Sequence, residues 1–266
     1  MSQDQLILEK KDAVAIVTFN RPRQMNAISD EINRILFPKI LKEVNEDKTV
    51  RVVIITGTGD SFCAGADVGQ LGQAALDGKL QDMLEPGGIP IGGDWVLPLY
   101  NLGKPVIAAV NGIAVGGGVS IAMLCDIRIA SEKAAFSMAF VRRGLVPDTG
   151  SSYIMPRLIG LARTFEYLYT GAVVGASEAL EVGLVSKVVP HDKLMEESLS
   201  LAGKIAKNPP LALAQIKKVI HHSMHNTPEQ QLYFETYAQK FLFATEDFKE
   251  GMLALFQKRD PDFKGK

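Results

Sequence analysis

The chain has 266 residues, 47% of them hydrophobic, and its acidic and basic side chains nearly cancel to a formal net charge of −1. This length and apolar content can fill a sizeable core, which argues against a disordered chain. The charge balance provides no electrostatic footprint for nucleic acid or for an anionic membrane. We therefore expect small-molecule chemistry, with no nucleic-acid and no membrane partner.

The cysteines and the apolar runs indicate the compartment. Cys63 and Cys125 are predicted to be free thiols in a reducing cytoplasm, because the first residues lack the basic-then-apolar layout of a secretory signal. Asn111 and several glycines interrupt the longest apolar run, which therefore falls short of the roughly 20 residues that a membrane helix needs. The sequence predicts a soluble, cytoplasmic protein.

Strand-like and helix-like patterns alternate along the first half of the chain. Apolar runs of strand length occupy residues 13–19, 52–56, 106–110 and 127–130. Periodic stretches typical of helices occupy residues 30–45, where Asp30 marks the start, and 119–124. This alternation predicts an α/β layered core.

The last quarter of the chain has a different pattern. From about Lys193 the strands disappear and helical stretches follow, broken at prolines 209–210, 228 and 261. Large apolar residues are numerous here, namely Phe234, Tyr237, Phe241, Phe243 and Phe248. We divide the chain into a core of residues 1–192 and a helical region of residues 193–266. One face of that region is expected to pack on the core or on another subunit, which predicts an oligomer.

A Gly- and Pro-rich stretch lies between these patterns. Residues 69–94 are predicted to form a flexible loop or a broken helix, and long loops of this kind often cover binding sites. The path of such a loop does not follow from its sequence. The size and the aromatic or aliphatic character of a bound molecule therefore stay open.

Two segments of small residues each place a strand end, a turn and a helix start in succession. They are residues 61–67, S-F-C-A-G-A-D, and residues 111–120, N-G-I-A-V-G-G-G-V-S. Small side chains let a ligand approach the backbone, and free N–H groups at a helix N-terminus favour developing negative charge. Either segment alone is also compatible with a simple tight turn.

Taken together, the motifs resemble those of the enoyl-CoA hydratase/isomerase, or crotonase, superfamily. Residues 144–160, G-L-V-P-D-T-G-S-S-Y-I-M-P-R-L-I-G, follow the two small-residue segments in the order and spacing of that family. The resemblance extends to N-R-P-R-Q-M-N-A-I at residues 20–28 and to A-L-E-V-G-L-V-S-K-V-V-P at residues 179–190. It therefore covers nearly the whole chain.

The resemblance implies both a fold and a site. The fold would be a core of repeated ββα units with a C-terminal helical trimerisation region, giving a homotrimer or a dimer of trimers. The site would be an oxyanion hole formed by the backbone N–H groups of Ala66 and Gly117. Each such donor is typically worth roughly 2.7–4 kcal/mol of transition-state stabilisation. The acyl-CoA thioester would be the substrate, with no further cofactor and no metal.

The resemblance also implies a set of residues around the CoA thioester. Backbone near residues 64–68 would hold the adenine and pantetheine parts, and Arg23 would lie near the CoA phosphates. Phe263 and Lys266 would reach the site from a neighbouring subunit. The full predicted set is Arg23, Met25, Ala27, Ala64, Gly65, Asp67, Val68, Ser120, Phe140, Phe263 and Lys266.

Two positions depart from the hydratases. In the hydratases of the family that this chain resembles, two glutamates handle the water and the α-proton. The matching positions here are Ser120 and Phe140. Phenylalanine cannot transfer a proton, and each lost acid/base group forfeits roughly 10²–10⁴-fold in rate. Ordinary enoyl-CoA hydration is therefore not expected. A weak hydratase activity could still use Asp148 alone, or with Glu85 or Asp94.

Asp148 is the remaining carboxylate where the family places chemistry. Isomerase-type relatives resemble this chain in carrying an acidic residue there, so Asp148 is predicted to move a proton during double-bond migration or isomerisation of an aryl-CoA epoxide. Apolar surroundings near Phe140 and Val146 would raise its basicity. Alternatively, Asp148 caps a turn before Gly150. It could also attack an aryl-CoA ring, as in the dehalogenase relatives, although the histidine base of those relatives is missing.

Other patterns in the chain favour no separate chemistry. Gly118–Ala122 is a near miss to a nucleophile elbow that would use Ser120, Asp148 and His191, but its last glycine is absent. Gly57-Thr58-Gly59 lacks the third glycine of a nicotinamide fingerprint. The histidines at 221, 222 and 225 lack the partners of a metal site, and Cys63 is expected to be a buried residue. A non-catalytic CoA- or RNA-binding protein is the alternative from another class.

Overall fold

Ten strands form two β-sheets in the part of the chain, residues 5–78 and 93–266, that the computed structural model describes. The strands are β1 (Leu6–Lys11), β2 (Val14–Phe19), β3 (Val52–Gly57), β4 (Ser61–Cys63), β5 (Val106–Val110), β6 (Ile113–Val115), β7 (Ile127–Ser131), β8 (Ala135–Ser137), β9 (Val173–Gly175) and β10 (Lys187–Val189).

The larger sheet has the strand order β1-β2-β3-β5-β7-β10 and is parallel apart from the β1–β2 hairpin. The four strands predicted from the sequence are its adjacent strands β2, β3, β5 and β7. Parallel sheets are normally covered on both faces, which explains why β3 and β5 are apolar along their lengths and buried. The smaller sheet has the order β4-β6-β8-β9, with β8 and β9 antiparallel.

The helices follow the strands in a repeated order. They are α1 (Phe37–Glu46), α2 (Val68–Leu76), α3 (Val96–Tyr100), α4 (Gly117–Leu124), α5 (Ser151–Thr170), α6 (Ala176–Glu181), α7 (Leu194–Ala206), α8 (Pro210–Ser223), α9 (Pro228–Phe243) and α10 (Glu246–Gln257). Three successive units, β3-β4-α2, β5-β6-α4 and β7-β8-α5, each give one strand to each sheet and then a helix. The expected ββα repeat is therefore confirmed.

The repeat brings the two small-residue segments side by side. β4 and β6 pair in parallel, with Ser61 opposite Ile113 and Cys63 opposite Ala114. In parallel strands the carboxyl ends meet at the same edge, so the turns that follow β4 and β6 are neighbours. The Asn111 amide reinforces this arrangement by donating to the carbonyl oxygens of Gly59 and Ser61.

The helix predicted over residues 30–45 begins differently from the expectation. The hydroxyl of Ser29, rather than Asp30, accepts the capping hydrogen bond from the Ile32 N–H at 3.2 Å. A π-helical turn (Ile32–Leu36) precedes α1. Pro38 lies in the first turn of α1 and has no N–H for the carbonyl four residues before it, which gives a physical reason for the irregular turn.

Helices cover the two faces of the larger sheet. On one face α7 places Leu194 and Ala202 against Val52 and Ile54. On the other face lies the main core, which includes the buried α4. The α7 helix begins just after the predicted boundary between residues 192 and 193, and that division stays a prediction.

The C-terminal helices begin where the prolines predict breaks. Pro210 and Pro228 each occupy the first position of a helix, where a missing N–H costs little. Four of the five aromatic residues singled out from the sequence, all except Phe234, are exposed in the single chain. No helix in residues 5–78 and 93–266 is long and apolar enough to cross a membrane.

The segment predicted as a loop over residues 69–94 is helical where it begins. Residues 69–76 belong to α2, which Asp67 caps by accepting hydrogen bonds from the N–H groups of Gly69 and Gln70. Asp94 is exposed. Residues 79–92, which contain Glu85, lie outside the described residues.

Candidate active site

The backbone at Ala66 is held by an isolated parallel bridge with Ile28. The Ile28 N–H donates to the Gly65 carbonyl at 2.8 Å, and the Asp67 N–H donates to the Ile28 carbonyl at 3.1 Å. In such a bridge the neighbours on both sides of Ala66 make the hydrogen bonds, so the N–H of Ala66 itself points to the opposite side. Ala66 is exposed, and its N–H is therefore accessible to a ligand.

Gly65 brings this backbone against the start of α4. A Cβ atom at position 65 would lie 2.5 Å from the carbonyl oxygen of Val115 and 3.1 Å from the nitrogen of Gly117. Its φ of 76° is also in the region that favours glycine. The close approach required at position 65 therefore places the predicted donors, Ala66 and Gly117, on neighbouring segments.

The Gly117 N–H lies in the first turn of α4. Gly116 precedes the helix with φ of 50° and ψ of −114°, which turns the chain sharply out of β6. The first N–H groups of a helix have no acceptor within it and carry partial positive charge. Gly117 is half-buried and lies on the segment beside Ala66, where the sequence predicts the second donor.

Asp148 lies in the turn that leads into α5. Its backbone carbonyl accepts hydrogen bonds from the N–H of Ser151 at 2.9 Å and from the Ser151 hydroxyl at 2.6 Å. The backbone thus closes the turn, while the carboxylate contacts the Thr149 hydroxyl at 3.2 Å. The carboxylate also accepts from its own backbone N–H, so turn capping, the alternative raised from the sequence, stays open.

The environment of Asp148 shifts its carboxyl toward the protonated form. Partial burial of the side chain raises the pKa of Asp148 above its ordinary value of 3.8. The hydrogen bonds from Thr149 and from its own backbone oppose that shift. The expected apolar neighbour Val146 is 78% exposed, so the prediction that it shields Asp148 is wrong. Val146 lies at the end of an exposed stretch of loop, and its side chain points to solvent.

Ser120 and Phe140 occupy the positions that match the hydratase glutamates, and both lie beside Gly116. The Phe140 ring is buried and lies 3.8 Å from where a Cβ of Gly116 would be. Ser120 is fully buried, and its Oγ is 3.3 Å from the Gly116 carbonyl oxygen and 2.6 Å from Thr149 Oγ1. A phenyl ring and a hydroxyl thus stand near the predicted oxyanion donors.

Comparison with known proteins identifies the family. The sequence pattern described as Enoyl-CoA hydratase/isomerase matches residues 9–266. The chain belongs to this family. It is 40% identical over 262 residues to the short-chain-enoyl-CoA hydratase of Clostridium acetobutylicum, covering 97% of each chain. It is also 36% identical over 261 residues to the 1,2-epoxyphenylacetyl-CoA isomerase of Escherichia coli, covering 95% of each chain.

A solved structure supports the same assignment. The enoyl-CoA hydratase from Bacillus anthracis has a TM-score of 0.87 to this chain, with 32% sequence identity, and the match covers 99% of this chain and 100% of the other. The crotonase fold expected from the motifs is therefore confirmed, and the chain is an acyl-CoA enzyme of the enoyl-CoA hydratase/isomerase superfamily. The Clostridium acetobutylicum hydratase, at 40% identity, is at least as similar to this chain as the Escherichia coli isomerase, at 36%.

In this family member, a residue that the sequence analysis missed holds the predicted CoA loop. The Arg21 guanidinium donates to the Asp67 carboxylate at 3.0 Å and to the Ala27 carbonyl at 2.7 Å. Arg23, the predicted phosphate-binding residue, is exposed on the 3-10 turn (Pro22–Gln24). Arg21 therefore organises the loop, while Arg23 is free to meet solvent or a ligand.

Asn26 is a second residue that sequence reasoning missed. It is fully buried, and its amide donates to the carbonyl oxygens of Thr58 and Ser61 while its oxygen accepts from the Arg21 N–H. Asn26 and its neighbour Met25 both have positive φ, which asparagine tolerates better than most residues. This buried amide ties the predicted CoA loop to the turn after β3. It thereby sets the positions of the loop residues Ala27 and Ala64.

The C-terminal residues Phe263 and Lys266 lie elsewhere in the single chain. The Arg51 guanidinium, just before β3, donates to the Phe263 carbonyl. The Lys266 carbonyl accepts from the N–H of Glu246, and the Asp247 carboxylate holds the backbone between them. The tail thus lies at the amino end of β3, whereas the site lies beyond its carboxyl end. A contribution from a neighbouring subunit stays a prediction.

The remaining histidines and cysteines are occupied by other contacts. His191 Nδ1 is 2.9 Å from the Ser131 hydroxyl, so its hydrogen bond is not with Asp148 or Ser120. His221 stacks on Tyr100, and the His225 ring is hydrogen-bonded to the Tyr153 hydroxyl. Among residues 5–78 and 93–266, no three His, Cys, Asp or Glu side chains form a group that could hold a metal ion.

Cys63 lies beside the oxyanion loop without the features of a nucleophile. Its side chain is fully buried, and burial raises the pKa of the thiol to about 12. Only the thiolate is reactive, so this cysteine has a packing role. The expectation of a buried residue at this position is confirmed.

Proposed function

We propose that this family member is an enoyl-CoA isomerase in which Asp148 is the single acid/base group. The observation that carries the proposal is the set of side chains around the oxyanion donors. Ser120 and Phe140 stand at the positions that match the hydratase glutamates, and Asp148 is joined to Ser120 through the Thr149 hydroxyl. One carboxylate suffices for a reaction that removes a proton and returns it two carbons away.

The mechanism follows from the two backbone donors and the carboxylate. The N–H groups of Ala66 and Gly117 would hold the thioester oxygen and stabilise the negative charge that develops on it as an enolate forms. Asp148, made more basic by burial, would remove a proton from the carbon chain when its carboxyl is ionised. The same carboxyl would then return the proton at the γ or α carbon, so the double bond migrates without net consumption of water.

The chemistry of the substrate admits two variants of this isomerisation. Straight-chain 3-enoyl-CoA would be converted to 2-enoyl-CoA, and an aryl-CoA epoxide would be opened and isomerised. The similarity to the Escherichia coli relative named 1,2-epoxyphenylacetyl-CoA isomerase supports the second variant. In both, the residues proposed around the thioester include Met25, Gly65 and Val68, while Phe140 supplies an apolar wall.

Hydration of 2-enoyl-CoA is the second candidate. It is favoured by the names of similar proteins, including the short-chain-enoyl-CoA hydratase of Clostridium acetobutylicum. Against it, Phe140 offers no proton and Ser120 hydrogen-bonds to backbone and to Thr149. Hydration would therefore depend on Asp148 alone or on Asp148 with one further acid, and it should be slow.

To test the proposal, the purified protein is incubated separately with three substrates: a straight-chain 3-enoyl-CoA, a 2-enoyl-CoA and an aryl-CoA epoxide. Products are separated by chromatography. Isomerised product should form, and Asp148→Asn should lower the rate by roughly 10²-fold or more, as expected for loss of an acid/base group. Asp47→Asn, a carboxylate that also accepts from a threonine hydroxyl but lies near the amino end of β3, is the matched control.

The outcomes separate the candidates. Isomerisation that survives in Asp148→Asn would contradict the role of Asp148. If only 3-hydroxyacyl-CoA forms from 2-enoyl-CoA, the hydratase candidate is correct and the argument from Ser120 and Phe140 fails. No reaction with any of the three would favour a non-catalytic acyl-CoA-binding role.

A further inference from the structure

A continuous row of hydrogen-bonding groups connects the Asp148 carboxylate to the peptide group that carries the Gly117 N–H. Asp148 Oδ1 lies 3.2 Å from Thr149 Oγ1, which lies 2.6 Å from Ser120 Oγ. Ser120 Oγ lies 3.3 Å from the carbonyl oxygen of Gly116. That carbonyl and the Gly117 N–H belong to one peptide group, so the row ends on a predicted oxyanion donor.

We propose that Thr149 and Ser120 act as a hydroxyl relay, which couples the protonation of Asp148 to the strength of the Gly117 oxyanion donor. The inference rests on the proposed function, because it assigns Asp148 the role of base. Thr149 and Ser120 are positioning residues in it: neither exchanges a proton with the substrate. The two hydroxyls change only the direction in which they donate.

The direction of the relay follows from counting donors. An ionised carboxylate can only accept, so Asp148 attracts the single proton of the Thr149 hydroxyl, and Ser120 then donates to Thr149. In that arrangement the Gly116 carbonyl accepts only from the Ser120 N–H, at 3.1 Å. Before the reaction begins, the two hydroxyls therefore donate toward Asp148 and away from the oxyanion hole.

Proton removal from the substrate reverses the direction. The protonated Asp148 carboxyl now has an O–H group and donates a hydrogen bond to the Thr149 hydroxyl. Thr149 then donates to Ser120, and Ser120 donates to the Gly116 carbonyl. Hydrogen bonds in such a chain polarise one another, and a peptide that accepts at its carbonyl donates more strongly from its N–H. The Gly117 donor is therefore strengthened while the enolate exists. No proton leaves its oxygen along the row.

Burial and backbone geometry make the relay specific. Ser120 is fully buried and Thr149 half-buried, so water competes little for these hydroxyls. Thr149 has φ of 50°, a conformation that is costly for a β-branched residue. This strained backbone places its hydroxyl between Asp148 and Ser120. A side chain that only filled space would not require this strained backbone conformation.

The first test compares variants of Thr149 and Ser120 in the isomerase assay. Thr149→Val keeps the shape and removes the hydroxyl, and kcat should fall roughly tenfold with little change in KM, the effect of one hydrogen bond. Thr149→Ser keeps the hydroxyl and should stay within about twofold of the wild type. Ser120→Ala should match Thr149→Val, and the double variant should be no worse than either, because both changes interrupt one row.

Thr49→Val is the matched control. The Thr49 hydroxyl also donates to an aspartate, Asp47, at 2.6 Å, but it lies near the amino end of β3. This variant should keep the wild-type kcat. Equal losses in Thr149→Val and Thr149→Ser, or an unchanged kcat in Thr149→Val, would overturn the relay. Additive losses in the double variant would overturn it as well.

The second test needs no substrate and is therefore independent of the proposed function. The amide resonance of Gly117 is followed by NMR as the pH is lowered through the ionisation of Asp148. In the wild type the resonance should shift with that ionisation, and in Thr149→Val most of the shift should be lost. A Gly117 resonance that does not move in the wild type, or that moves equally in Thr149→Val, would refute the coupling.

Other titrating groups near α5 must be separated from Asp148 in this measurement. His225, in the turn after α8, is hydrogen-bonded to Tyr153, and His221 stacks on Tyr100. Asp148→Asn leaves both pairs and the Asp67–Arg21 pair in place, so a Gly117 shift that persists in it belongs to these groups and counts against the relay. Should the isomerase assay fail with every substrate, the amide titration still decides the relay on its own.

Discussion

Burial of the Asp148 carboxyl sets opposite requirements for activity and for stability. Its folded-state pKa lies above the ordinary value, so the folded protein disfavours the ionised form that a base needs. The linked cost in stability is fully present above the folded pKa and disappears as the pH falls below 3.8, where the carboxyl is protonated in both states. Active-site residues are often placed in such unfavourable settings.

This linkage gives a prediction for Asp148→Asn. The variant should unfold at a higher temperature than the wild type at pH 7, because it no longer holds a partly buried charge. The difference should shrink as the pH is lowered and vanish below the ordinary pKa of the carboxyl. Calorimetry across that range is the measurement. A variant that is less stable than the wild type at pH 7 would show that the carboxylate has a structural role.

The same carboxyl predicts the pH dependence of the reaction. The proposed isomerisation requires the ionised form, so kcat should fall as the pH drops through the raised pKa of Asp148. The midpoint should lie above 3.8, on the side to which burial moves the pKa. A rate profile with its acid limb at or below that value would contradict the effect of burial.

At the scale of single elements, the cap of α2 is where fold and site meet. Asp67 caps this helix and also accepts from the Arg21 guanidinium, so one carboxylate holds the helix start and the backbone just after Ala66. Capping residues typically contribute about 0.5–2 kcal/mol to stability. Here the cap should also fix the position of Ala66, the proposed oxyanion donor.

The prediction compares two caps. Asp67→Ala should lower the free energy of unfolding by about 1–2 kcal/mol and should reduce kcat/KM severalfold, because the Ala66 backbone loses its support. Thr227→Ala removes the capping box of α9, so it should cost about 1 kcal/mol without the same loss of activity. Denaturant unfolding and steady-state kinetics measure both effects. Equal losses of kcat/KM in the two variants would contradict the special role of Asp67.

The elements also show how far periodicity predicts a fold. The central strands of the larger sheet were predicted to within one or two residues, because continuous apolar runs mark buried strands. The smaller sheet was not predicted. Its strands β4, β6, β8 and β9 have only three residues each, which is too short to show any period.

At the scale of the whole molecule, the exposed aromatic residues of α9 and α10 argue for assembly. Tyr237 and Phe241 are 72% and 49% exposed in the single chain and lie one helical turn apart on α9. Contiguous apolar surface of this kind usually marks an interface. We propose the homotrimer or dimer of trimers that the family resemblance implies, and Phe263 and Lys266 would reach a neighbouring site only in that assembly.

The assembly is tested by sedimentation. The wild-type mass should be three or six times the 28.9 kDa of one chain, and Tyr237→Asp with Phe241→Asp should shift it toward the monomer. Gln239→Asp adds a charge to the opposite side of the same helix and is the control. A monomeric wild type would contradict the proposal, and so would a double variant that sediments as the wild type does.

The sequence by itself determined the family, the α/β order and the side chains at the decisive positions, because these depend on local composition and on motifs in a fixed order. Only the tertiary structure decided which distant groups meet. Thr149 and Ser120 are 29 residues apart, and Arg21 and Asp67 are 46 apart. Hydrogen bonds across such separations leave no periodic or compositional signal, since only the tertiary packing of helices and turns brings their partners within reach.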